Sequence, residues 1–231
     1  MSDAPTVLYF GRAGCPRSDA ALAYLEALGF RTQVAISQAA GAALPAWVHD
    51  WRGDWIFCFR SYYILPQSVI DAAAQGAINF HPAPSNFRGR GCLNFALYKD
   101  APEYGVTTHM IEAKVDSGAI LRCDRFPILP GDGVDSLLQR THHYMLSAFY
   151  DIVGGIALRG HAHVDALLQG CEETWSGPLY KLSQLNDLQV LDASASAEEM
   201  ARVIRATHTA AFPTQLALHG QRFDLNRRPR P

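Results

Sequence analysis

The chain has 231 residues, a formal net charge of −2, and 48% hydrophobic against 18% charged residues. That composition describes a globular chain with a sizeable core and excludes a disordered one, and its near-neutral charge gives no electrostatic ground for a polyanion such as RNA as partner. The five cysteines lack paired spacing, no apolar run approaches the ~20 residues of a bilayer span, and MSDAPTVLYF has no basic, apolar leader, so a cytoplasmic protein with reduced thiols is expected.

Val7 to Phe10 is an apolar run, followed by the turn segment GRAGCPRS and a helical pattern through Ala21, Leu22, Leu25 and Leu28 that stops at Gly29. TQVAIS predicts a second strand. Trp55 to Phe59, WIFCF, is uninterrupted apolar sequence, as a strand covered on both faces requires. LPQSVIDAAAQG predicts a helix with Pro66 at its first position and a stop at Gly76, and Ala77 to Phe80 predicts the next strand. Strand, helix, strand, helix and strand in this order imply parallel βαβ units with right-handed crossovers. Such sheets bind ligands beyond the carboxyl ends of their strands. Asn79, His81 and the Arg60-Ser61-Tyr62-Tyr63 segment fall there.

Further on, CLNFALYKD has helical spacing, and YGVTTHMIEA alternates as a strand with Val106, Thr108 and Met110 on one side. Asp116-Ser117-Gly118 marks a turn before another strand. From Asp135, apolar residues at Leu138, Met145, Phe149, Ile152 and Ile156 mark one amphipathic helix. After Gly160 the pattern is patchier and more polar. There Ser196 with Glu199 reads as a capping box opening a helix through Ile204, and QLALHGQRFDL predicts a hairpin turning near Gly220. The basic segment Arg222 to Arg230 reads as a solvated terminus. The expected fold is α/β: a Rossmann-like, doubly wound, mostly parallel sheet over residues 1–160, with a smaller C-terminal helical and β-hairpin appendage over 161–231. The hairpin is a candidate homodimer surface.

Asn79 and His81, two positions apart at the end of a buried strand, and Asp116 at its turn form the main constellation. Burying an amide and an imidazole is costly unless something uses them. A carboxylate within reach of a histidine fixes its tautomer and raises its basicity, and an amide can donate to a developing oxyanion. This is a toolkit for acyl transfer to an amine; a loop-stabilising Asn–His pair and an ordinary turn aspartate is the other reading of the same residues. His109, His142, His143, His161 and His163 lack the spacing of a metal motif, so no metal is expected. Cys15-Pro16, opening a helix after the first strand, resembles a thioredoxin-type motif with Ser18 in place of the second thiol. A monothiol redox protein is therefore the competing class, although a tight turn with a buried cysteine is preferred.

Taken together, Asn79-Phe80-His81, the loop Pro84 to Gly91, Tyr104-Gly105-Val106-Thr107 and Val115-Asp116-Ser117-Gly118 resemble the folate-dependent formyltransferases, densely from Trp55 to Ile128 and thinly elsewhere. The resemblance implies Asn79, His81 and Asp116 as catalytic residues and 10-formyltetrahydrofolate as co-substrate. It implies that Arg60, Ser61, Tyr62, Tyr63, Ile64 and Leu65 wrap the pterin, with Lys114 and Val115 as the other wall. The run HPAPSNFRGRGCLNFA, and the histidine after Gly-Val-Thr-Thr, look closest to small enzymes that formylate a 3-amino or 4-amino deoxysugar on a nucleotide. Pro84, Arg88, Gly89, Arg90, Asn94 and His109 would then meet the acceptor. Methionyl-tRNA enzymes of the family carry an additional barrel domain and a basic surface, and glycinamide ribonucleotide enzymes carry Gly-Ser-Asn where this chain has Gly14-Cys15-Pro16-Arg17. A nucleotide sugar is the expected acceptor, with glycinamide ribonucleotide, an amino acid or methionyl-tRNA as alternatives.

Overall fold

The computed structural model describes residues 4–225; the end of the basic C-terminal segment lies outside them. The chain opens with β1 (Thr6–Arg12), α1 (Pro16–Ala27), β2 (Arg31–Ser37), a 3-10 turn (Ala46–Asp50) and β3 (Gly53–Phe59). Then follow α2 (Gln67–Ile70), β4 (Ala73–His81), the two-residue β5 (Arg88–Gly89), α3 (Cys92–Tyr98), β6 (Glu103–Met110) and β7 (Ile120–Pro127). The remainder is α4 (Val134–Arg159), α5 (His161–Gly170), β8 (Leu179–Tyr180), α6 (Leu182–Leu188), β9 (Val190–Asp192), α7 (Ala197–Thr207), β10 (Gln215–Leu218) and β11 (Gln221–Asp224).

The main sheet runs β2-β1-β3-β4-β6-β7. Its first four strands are parallel, and β6 and β7 are antiparallel additions. This is the Rossmann-like, mostly parallel sheet expected. After β1 the chain steps outward to β2 and then returns to place β3 on the other side of β1. The gap between the ends of β1 and β3 is therefore a topological switch point, where open α/β sheets leave a crevice.

Alternation along β3 explains its apolar sequence. Trp55, Phe57 and Phe59 pack with α1 and α4, whereas Ile56 and Cys58 face a second layer built from Val48, Trp51, Leu65, Val69 and Ile70. In the first layer Phe149 of α4 meets the rings of Phe57, Phe59, Phe80 and Tyr9, with centroids 4.8–6.3 Å apart. A third cluster, with Phe87, Phe95, Tyr104, Phe126 and Tyr180, joins the loop after β4 to the C-terminal elements.

The helix expected from Pro66 to Gly76 is a single turn. Ala73 is already paired with Gly53, and Gly76 lies inside β4 at φ 127°, opposite Trp55. Sheet pairing overrides the helix propensity of the Ala-rich stretch. The C-terminal hairpin forms as read, with His219 and Gly220 both at positive φ between β10 and β11. Ser196 caps α7 by accepting from the Glu199 amide at 3.1 Å. Among the described residues no helix is long and apolar enough to cross a membrane.

Candidate active site

Asn79 and His81 occupy alternate positions of β4, so both side chains leave one face of the sheet while Phe80 enters the core on the other. β6 runs antiparallel beside β4 with His109 directly opposite Asn79. That register makes His109 the third member of the group. Its Nδ1–H donates to the Met110 carbonyl at 2.7 Å, leaving Nε2 as an acceptor, and the Asn79 carboxamide nitrogen lies 3.0 Å from Nε2. The neutral His109 ring therefore fixes which way the carboxamide points, and one amide N–H remains free for a ligand. Burial, and then the neighbouring His81, hold His109 down at about 4.

Asp116 comes from the turn between β6 and β7. Its backbone is left-handed, φ 49°, a conformation aspartate tolerates better than most residues. Gly118 closes the turn against the Met110 carbonyl, where a Cβ would lie 2.0 Å from the oxygen. The Gly89 amide donates to Asp116 Oδ2 at 2.9 Å and Arg88 Nε to the Asp116 carbonyl at 2.9 Å, so the loop after β4 grips the aspartate at two points. Asp116 Oδ1 stands 3.5 Å from His81 Nδ1 and 3.8 Å from His109 Nε2. His81 Nε2 lies 3.1 Å from the Phe87 carbonyl, to which only an N–H can donate. In the neutral ring, Nδ1 is thus bare and faces the carboxylate. Asn79, His81, His109 and Asp116 form one group of side chains, with His81, His109 and Asp116 almost fully buried.

They line a cleft of about 480 Å³. Its walls include Arg60, Ser61, Tyr62, Tyr63, Ile64 and Leu65 on one side and Lys114 and Val115 on the other, with Gly89 and Arg90 at the rim. Ile64 and Val115 are 70% and 45% exposed, an apolar pair that solvates poorly. Three residues expected on the acceptor side do not line the cleft. Pro84 is buried and its carbonyl closes a turn with Phe87. Arg88 is committed to the Asp116 carbonyl. Asn94 donates to the Ala206 carbonyl at 2.7 Å and so ties α3 to α7. Trp51 is core and Tyr98 donates to Glu199, so neither of these rings lines the cleft.

Two features go beyond the sequence reading, which had Arg60 only as part of the pterin wall. Arg12 ends β1, Arg17 begins α1 and Arg60 follows β3, and among the described residues none of them forms an ion pair with a carboxylate. Arg60 is left-handed, φ 59°, with its guanidinium against the His142 ring, 2.9 Å from Nδ1. Burial and then Arg60, Arg17 and Arg12 push His142 down to about 3. Arg12 lies 4.4 Å over the Tyr62 ring. Charge spread over three distant segments leaves no local motif. The second feature is Trp175, whose ring stands edge-on to His109 at 5.0 Å and to His81 at 5.9 Å. Its only signal in the sequence is one large aromatic in the polar run CEETWSGP.

Cys15 is buried at the N-cap of α1, and among the described residues no three His, Cys, Asp or Glu side chains group as metal ligands. A carboxamide, a bare imidazole nitrogen and a carboxylate beside a cleft with apolar walls can support acyl transfer to an amine. Comparison with known proteins gives the class: the formyl transferase family model matches residues 12–153, and the chain belongs to that family. A methionyl-tRNA formyltransferase of Janthinobacterium sp. is 29% identical over 173 residues, covering 74% of this chain and 51% of the relative. The chain spans about half or less of the length of the curated relatives it matches. Among solved structures, a sugar N-formyltransferase from Shewanella sp. superposes with a TM-score of 0.73 at 16% identity, covering 96% of each chain. An N-formyltransferase from Helicobacter canadensis, in complex with folinic acid and dTDP-3-aminofucose, gives 0.66 at 13% identity over 93% of this chain and 84% of that one.

Proposed function

We propose that the protein transfers a formyl group from 10-formyltetrahydrofolate to the primary amine of a nucleotide-linked amino deoxysugar. The observation that carries this is the bare His81 Nδ1 facing Asp116, beside an Asn79 amide whose orientation His109 fixes. The co-substrate supplies an activated formyl carbon. Cleft size, the exposed Ile64 and Val115, and backbone polar groups of residues 60–65 suit a flat heteroaromatic ring.

In this reading the amine nitrogen bonds to the formyl carbon, and the free Asn79 N–H stabilises the oxygen that becomes negative. His81 Nδ1 receives the proton that the nitrogen loses. Asp116 stabilises the resulting imidazolium, with Nε2–H still held by the Phe87 carbonyl. As the carbonyl re-forms and the bond to the donor nitrogen breaks, His81 returns its proton to that nitrogen. No net proton is gained or lost.

The acceptor assignment draws on the binding partner named for the Helicobacter structure. It draws also on Arg12 and Arg60, two half-buried cations of the cleft that form no ion pair among the described residues and suit a phosphate-bearing acceptor. The test is a panel of acceptors with 10-formyltetrahydrofolate, following tetrahydrofolate release: nucleotide-linked 3-amino and 4-amino sugars, glycinamide ribonucleotide, free amino acids and methionyl-tRNA. Turnover on an amino sugar nucleotide supports the assignment. Turnover confined to another amine, or to none, rejects it.

A further inference from the structure

The segment between α5 and α6 crosses the molecule as a strap. Glu173 accepts from Ser85 Oγ and from Arg125, both at 2.6 Å. The Ser176 amide donates to the Ser85 carbonyl at 3.1 Å. Gly177, at φ 69°, passes so close to Asn86 that a Cβ would lie 2.4 Å from its carbonyl oxygen. β8 then pairs in parallel with β5, the two residues that hold Asp116. Ser85, Asn86 and β5 fasten the strap to the loop after β4.

At its centre Trp175 donates from Nε1 to the Gly118 carbonyl at 2.7 Å, and its ring touches His81 and His109 edge-on. Arg88 lies 5.8 Å over the same ring. The indole does not line the cleft, although its ring is edge-on to both imidazoles that do. On the strap's outer side is an open hollow of about 630 Å³ lined by Arg122, Cys123, Cys171, Glu173 and Thr174. Thr174 and Ser176, on either side of Trp175, line that hollow, while the Trp175 ring meets the imidazole pair. A satisfied structural tryptophan needs one partner for its N–H and an apolar bed. This one is placed instead among polar side chains of the site, joined to the turn that carries Asp116.

We propose that Trp175 is a positioning residue of the reaction: it locks the Asp116 turn against His81 and His109 and seals the rear of the site from water. The claim rests on the formyl-transfer reading for what the site does, but the arrangement makes a prediction without turnover. With the indole in place, His109 is buried and burial holds its titration low. With Trp175→Ala, water reaches the ring and its titration moves up towards the ordinary histidine range.

The experiment uses the full chain with Trp175→Phe and Trp175→Ala, each checked for folding by thermal unfolding. Imidazole NMR is followed against pH, and formyl transfer is assayed with and without acceptor. In Trp175→Ala, the His109 titration is expected to rise and kcat to fall roughly ten- to a hundredfold, as misplacement of a reacting group does. KM values are expected to change little, and formate release without acceptor to become measurable. Trp175→Phe, which keeps the ring but loses the Nε1 bond, is expected to lose rate without the leak. An unmoved His109 titration in a folded Trp175→Ala protein overturns the proposal. So does an unchanged kcat with no formate leak. Absence of formyl transfer in the unsubstituted protein, with the His109 shift present, defeats the functional reading and leaves the positioning intact.

Discussion

At the scale of single residues, the site works by assigning each nitrogen one duty. His81 gives Nε2–H to a backbone carbonyl and leaves Nδ1 bare; His109 does the reverse, spending Nδ1–H on the backbone and offering Nε2 to Asn79. His81→Asn is therefore expected to fold and bind folate but to lose formyl transfer, measured as tetrahydrofolate release. Residual activity within a few fold would show that no proton passes through this ring. Asn79→Ala removes the oxyanion donor and should lower kcat by roughly 10²–10³. Two buried histidines, His109 and His142, also set an acid limit on stability. His109 titrates at about 4 and His142 at about 3 in the folded chain, against 6.5 when unperturbed. The unfolded state binds more protons below 6.5, so stability is constant above that pH and falls as the solution is acidified towards 4. Unfolding midpoints in urea, taken from pH 7 to pH 4, should decrease, and a flat profile would contradict the burial of these rings.

At the scale of elements, sequence pattern revealed those whose period is set by burial. β3 is legible because both its faces are covered, and α4 because one stripe of it meets the sheet. Asn79 and His81 are legible because strand alternation brings two polar groups to one face at a strand end. The pairing of His109 with Asn79 is not, since it depends on β6 running antiparallel, which no local pattern specifies. Asn94 misled for a similar reason: its position after a glycine-rich loop suggested a ligand, but α7 supplies the carbonyl it serves from the far end of the chain. Element geometry also makes the strap testable. Gly177→Ala combines a disfavoured φ with a Cβ driven into the Asn86 carbonyl, a cost of about 1–3 kcal/mol. Calorimetry should record a modest fall in Tm, accompanied by a larger proportional loss of kcat than of folded protein.

At the scale of the whole molecule, the switch point between β1 and β3 and the side-chain group of β4 and β6 open into one cleft, lined by Arg12 and Arg60 as well as by the imidazoles. This separates grip from chemistry. Arg12→Gln should raise KM for a phosphorylated acceptor by roughly tenfold, the size of one charged hydrogen bond, with kcat little altered; an equal effect on an uncharged amine would point to general damage. Beneath both ends lies one aromatic layer, so Phe149→Ala, at its centre, should cost about 3–5 kcal/mol in denaturant unfolding.

The placement of the indole has a consequence for biosynthesis. A ribosome makes the carboxamide, both imidazoles and the carboxylate well before the strap, so a nascent chain already carries the reactive constellation while its back wall is still unmade. During that interval a donor bound early would meet bulk water instead of an amine. On the role proposed for the indole, the order of translation leaves the guard against hydrolysis of the donor until late.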